Sequence, residues 1–114
     1  MTTATPIRAA LETAKTSDHT GVGAAYATLG SSLSASAHSL IISSSLDKSC
    51  WISTDLTNNK ILIISGTSLS IDVSGNKQGS GQLAFPKGTQ FYVKQGPDGA
   101  SSTGDISLTA IYAR

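Results

Sequence analysis

The sequence predicts an all-β chain: an antiparallel β-sandwich, jelly-roll or immunoglobulin-like, of about seven or eight short strands with an N-terminal arm or short helix. Three observations predict it. From residue 37 to residue 113, apolar and polar side chains alternate with a period of two. Turn signals rich in Gly, Pro, Asn and Ser interrupt that alternation at intervals of about 8 to 12 residues. No helical crossover pattern lies between the strand segments, which excludes a parallel α/β sheet. The segments also lack a fixed repeat, which excludes a solenoid or propeller.

Residues 1–22 read as an arm and connector, and residues 23–114 as the sandwich domain. In the arm, Ile7, Ala10, Leu11 and Ala14 fall at i, i+3, i+4 and i+7, one face of a short helix with Thr5 as cap and Pro6 in its first turn. Such a helix is too short to stand alone in water, so its stripe is expected to dock on a partner. In a multi-copy assembly that partner is a neighbouring chain. The segment 16–23, TSDHTGVG, reads as the connector.

The first strand of the domain is the apolar run His38–Ser43. Ser49–Asp55 follows, with Cys50 and Ile52 on one face and Trp51 and Ser53 on the other. Asn58-Asn59 predicts a type I′ hairpin turn into Lys60–Ile64. In Ser68–Ser74, Leu69, Ile71 and Val73 point inward. Gly75–Gly81 is a glycine-rich loop, Leu83–Phe85 an extended piece, and Pro86-Lys87-Gly88 a turn. Thr89–Gln95 places Phe91 and Val93 opposite Tyr92 and Lys94. Gly96–Gly104 reads as a polar hairpin loop. The last strand, Asp105–Ala113, turns Ile106, Leu108, Ala110 and Tyr112 to one side and Ser107, Thr109 and Ile111 to the other.

Composition narrows the function. Of 114 residues, 32 are serine or threonine and only 13% are charged, so the surface is coated with hydroxyls rather than ions. A net charge of +1 argues against a nucleic-acid binder working by phosphate neutralisation. No apolar run reaches the length of a membrane helix, and no secretory signal is expected from MTTATPIRAALETAK. The single cysteine, Cys50, cannot form an internal disulfide and reads as a buried thiol in a protein made in a reducing compartment.

Neither catalysis nor a cofactor is expected. His19 and His38 are the only histidines, and no G-x-S-x-G elbow positions any of the many hydroxyls. Two histidines and one cysteine do not make a zinc site. Asp98 and Asp105 flank an oxygen-rich loop, but the spacing of a calcium loop is absent. The glycines at 75, 79 and 81 lack a phosphate-loop signature. Trp51 with Tyr92 offers a sugar-stacking face, although rings of this kind also plug sandwich cores. The candidate interface residues are therefore Ile7 and Leu11 on the arm, and Trp51 and Tyr92 on the domain.

Residues 37–114 carry a resemblance in Ser53-Thr54-Asp55, Phe85-Pro86-Lys87-Gly88-Thr89, Phe91-Tyr92-Val93 and the closing Ile111-Tyr112. This succession resembles small virion proteins of tailed bacteriophages. The resemblance implies a noncatalytic virion component, made in the host cytoplasm and present in many copies. It would decorate the capsid or join head, neck or tail parts, with copies of itself and other virion proteins as partners. Nucleic acid and membrane are not among the expected partners. The alternative is a carbohydrate- or receptor-binding sandwich that uses loops 75–81 and 96–104 with Trp51 or Tyr92.

Overall fold

A computed structural model describes residues 9–72, 77–78, 81–82 and 85–113. The alternating segments pair into two antiparallel sheets. The strands are β1 (Ala9–Leu11), β2 (Lys15–Asp18), β3 (Ala27–Thr28), β4 (Ser39–Ser44), β5 (Cys50–Ser53), β6 (Ile61–Ile63), β7 (Ser68–Asp72), β8 (Lys77–Gln78), β9 (Gly81–Gln82), β10 (Tyr92–Gln95) and β11 (Asp105–Ala113). One sheet has the order β1-β11-β4-β7, with β2 also on β11; the other has the order β3-β10-β5-β6. β8 and β9 form a separate two-stranded ribbon.

The connectivity is that of a long hairpin rolled into two layers. β5 pairs with β6, β4 with β7, β3 with β10, and β2 with β11. Because partners lie progressively further apart along the chain, the topology is a jelly roll. Immunoglobulin-like order is ruled out.

Period-two patterning explains which side chains meet between the layers. Leu40 and Ile42 of β4 and Ile106, Leu108 and Ala110 of β11 face Cys50 and Ile52 of β5, Ile63 of β6 and Val93 of β10 across one buried core. Leu29, Leu33 and Ala37 close it, on a segment running beside residues 85–91. That segment is tied by Leu29 N–H to the Phe91 carbonyl (2.8 Å), Leu33 N–H to Thr89 (2.9 Å) and Ala37 N–H to Phe85 (2.9 Å). On β7, Ile71 and Leu69 stand opposite Leu40 and Ile42, on the inward side expected of them. Leu69 remains partly exposed because β7 is an edge. Val73, Leu83 and much of the 75–81 loop lie outside the described residues.

The helical reading of the arm is overturned. Residues 9–11 and 15–18 are strands, and both lie on the same edge of this chain's own β11. The register Leu11↔Ile111 becomes Lys15↔Leu108, so residues 12–14 oppose only residues 109–110. This bulge reverses the alternation, and Glu12 and Lys15 both turn toward the inner side, next to Tyr112. The unpaired backbone edge of a nine-residue strand is a stronger template than a narrow apolar stripe. Leu11, assigned to the helix's buried face, instead points outward and is 71% exposed.

Two loops also differ from expectation. Among the described residues no non-glycine has positive φ, so Asn58-Asn59 is not a type I′ turn. The β5–β6 hairpin is present, but its loop is organised by the Asp55 carboxylate, which accepts from the N–H groups of Thr57 (2.8 Å) and Asn58 (2.7 Å). Residues 96–104 do not close a hairpin; they carry the chain from β10 in one sheet to β11 in the other. Gly104, at φ 95°, makes that passage, and a Cβ there would run into the Ser45 carbonyl.

Candidate functional site

The two outer faces differ in chemistry. On the five-stranded sheet the outward set is Ser39, Ile41 and Ser43 from β4, Ser68 and Ser70 from β7, and Ser107, Thr109 and Ile111 from β11, with Leu11 and Thr16 at the N-terminal edge. Hydroxyls alternate with aliphatic side chains, and among the described residues acids stand only at the margins: Asp72 at one corner, Asp18 opposite Asp105 at the other. Beside that pair, Thr16, Ser43, Ser45 and Ser107 line a shallow cleft of about 590 Å³. Such a face makes neutral hydrogen bonds that salt screens weakly.

On the four-stranded sheet, Tyr92 opposes Ser53 and Thr28, Lys94 opposes Trp51, and Trp51 opposes Leu62. Register therefore brings Trp51 and Tyr92 onto one face as diagonal neighbours. Sequence reasoning put Lys94 on the same side as Tyr92 without picking it as an interface residue, and missed Tyr26. The Lys94 ammonium lies 4.8 Å from the centre of the Tyr26 ring, and the Tyr26 hydroxyl donates to Asn59 Oδ1 at 2.7 Å. Burial pushes the Tyr26 phenol up, and the nearby Asp55 charge adds to this. The only signal for Lys94 was its i+2 spacing from Tyr92; nothing local placed Tyr26 there.

Leu11 lies on the opposite outer face from Trp51 and Tyr92, so the candidate interface residues do not form one patch. Ile7 lies outside the described residues. Cys50 is fully buried in the core, and burial raises its thiol to about 11.

The loop acids have structural partners. Asp98 accepts from the Ser49 N–H (3.3 Å) and from the Ser49 hydroxyl, and these bonds hold its carboxyl below the usual range. Asp47 accepts from Ser102 N–H (2.8 Å) and Oγ (2.9 Å) and is held at about 2. The oxygen atoms of loop 96–104 thus fasten it to residues 47–49. Asp98 and Asp105 do not converge on a common point: Asp105 lies on β11 opposite Asp18. Among the described residues, no three His, Cys, Asp or Glu side chains cluster to hold a metal, and no helix is long and apolar enough to cross a membrane.

One partly buried polar cluster joins the N-terminal strands to the end of β11. Glu12 accepts from the hydroxyl of Tyr112 and from Ser34 Oγ (2.7 Å) and N–H (3.0 Å), and pairs with Lys15 at 2.9 Å. Lys15 is only 4% exposed. Burial alone would raise the Glu12 carboxyl, but its bonds to Tyr112, Lys15 and Ser34 outweigh that and bring it to about 2.

Fold and surfaces together define a jelly-roll sandwich with one hydroxylated outer face and one aromatic outer face. No family model, no curated protein and no solved structure matches this chain.

Proposed function

We propose that this chain is a noncatalytic structural component of a tailed-phage virion, present in many copies, which decorates the capsid or joins head, neck or tail parts. The observation that carries the reading is the outer face of the five-stranded sheet, broad and nearly uncharged, with exposed Leu11 and Ile41 set among serines and threonines. A face of this kind suits wet, repeated protein contacts. The jelly roll adds support by analogy, because this topology recurs in viral capsid domains. The succession from Ser53 to Tyr112 adds the likeness to phage virion proteins. Quantitative mass spectrometry of purified particles tests it. The expected result is this chain at many copies per particle; its absence from particles overturns the reading.

The face bearing Tyr26, Trp51, Tyr92 and Lys94 favours a second reading, a carbohydrate- or receptor-binding module, since jelly rolls also serve as lectin domains. In that case the isolated chain binds glycans on an array, and Trp51→Ala removes the binding. A virion part without this role shows no such affinity.

A further inference from the structure

Two sheet edges among the described residues carry no charged or polar side chain: β1, Ala9-Ala10-Leu11, which Glu12 and the bulge follow at once, and β6. Native sheets guard their edges with charges, prolines, bulges or very short strands. β7 presents Ser68, Ser70 and Asp72; β2 carries Lys15 and Asp18 and is separated from β1 by the bulge; β3 has two residues. β6 and the residue after it read Ile61-Leu62-Ile63-Ile64, with no charge, proline or polar side chain.

Alternation turns Ile61 and Ile63 toward the core, while Leu62 and Ile64 lie on the outer face, 36% and 54% exposed. A strand apolar on both faces is the pattern of a strand inside a sheet, flanked on both sides. Here β5 is its only described strand partner.

We propose that β6 is the docking edge for a second copy of this chain. The two β6 strands pair antiparallel about a two-fold axis, and two four-stranded sheets become one continuous sheet.

Three features select a second copy. The edge left open among the described residues offers a row of backbone donors and acceptors that only another strand matches. An occupant must be uncharged and apolar on both faces over these positions, and β6 itself meets that description. Face matching under a two-fold then selects the orientation. With Leu62 opposite Leu62 of the second copy, Ile61 opposes Ile63, inner face stays with inner face, and the closure is isologous. Each Lys60 ammonium is paired with Asp55 of its own copy at 3.4 Å, and the two pairs then fall at opposite ends, roughly 13 Å apart along the strands, beyond the screening length of about 8 Å at physiological salt. A parallel pairing would set them side by side.

On the outer face, the Trp51–Leu62 pair would meet its symmetry mate and make an apolar seam across the junction. The proposal is independent of the virion reading, because a dimer of the isolated chain stands or falls whether or not particles contain it.

Sedimentation of the full chain from low micromolar to submillimolar concentration tests it. The expected result is a monomer–dimer equilibrium. Leu62→Lys and Ile64→Lys, each placing a charge at an already exposed position, should weaken it by at least about tenfold with melting nearly unchanged. Ser32→Lys, at an exposed position outside both faces, should leave it as in the wild type.

A nitroxide on Leu62→Cys, with Cys50 buried beyond the label's reach, should give strong dipolar broadening in the dimer that dilution with unlabelled chain removes. Opposed Cα atoms in such a pair are about 5 Å apart. A wild type monomeric across the range, lysine variants that associate like the wild type, or a labelled dimer without broadening would each overturn the proposal.

Discussion

Leu108 and Thr109 are neighbours on β11 in opposite surroundings: Leu108 is fully buried between the sheets, while Thr109 stands half-buried on the hydroxylated face. Leu108→Ala should lower stability by about 2 to 5 kcal/mol, the range for emptying a packed core site, and Thr109→Ala by less than about 1 kcal/mol. Urea unfolding of the two variants measures the difference; equal losses would mean that the register of β11 is displaced by one residue. Cys50 supplies a second check at this scale. Its burial and raised thiol predict no reaction with a disulfide reagent at pH 8 in the native protein, and one equivalent after denaturation. Both outcomes were legible in the sequence, because alternation assigns a face without knowledge of which strand lies opposite.

The pairing of β1 and β2 with β11 is held by a polar junction rather than by apolar packing alone. Glu12→Gln leaves the Lys15 ammonium buried without its counter-charge, a change that costs about 3 to 5 kcal/mol in comparable buried pairs. The same junction sets an acid dependence. Because the Glu12 carboxyl titrates lower in the folded chain than its ordinary 4.5, its stabilisation is fully present above about 4.5 and is lost as pH falls toward about 2. Asp47, Asp98 and Asp18 are also held low by hydrogen bonds and act in the same direction. Thermal melting of the wild type should therefore decline between pH 4.5 and 2, and the decline should be smaller in Glu12→Gln. An identical pH profile in the variant would remove Glu12 from the account. None of this was visible locally, since Glu12 and Lys15 meet Tyr112 only through the bulge and a partner a hundred positions away.

Across the whole molecule, the N-terminal segment belongs to the main sheet. Deleting residues 1–18 removes two strands and uncovers one entire edge of β11 beside Ile106 and Leu108. The truncated chain should melt far lower than the full chain and aggregate at its new edge. Unchanged melting, followed by differential scanning calorimetry, would instead mean that the segment docks on a neighbouring chain, as the helical reading had it. Far-UV circular dichroism of the intact chain should lack the helical double minimum, since the one described helix is the short 3-10 turn His19–Gly21.

The strands β4, β5, β6, β7, β10 and β11 and the inward faces of β11 follow from local alternation, which is why Ile106, Leu108, Ala110 and Tyr112 could be assigned to the core from the chain alone. Which strands neighbour one another could not. The jelly-roll order depends on pairings such as β2 with β11, whose partners are about ninety positions apart, and a period of two is silent about the partner. The N-terminal segment shows the same limit: its spacing satisfied a helical template, but a helix there had nothing to bury its stripe against, while β11 offered open hydrogen bonds along its length. The aromatic face was half readable, with Trp51 and Tyr92 recognisable as outward rings. Alternation also put Lys94 beside Tyr92, but Tyr26 and its contact with Lys94 came only once β3, β10 and β5 were laid side by side, because a cross-strand contact exists only after register is set, and register belongs to the folded sheet.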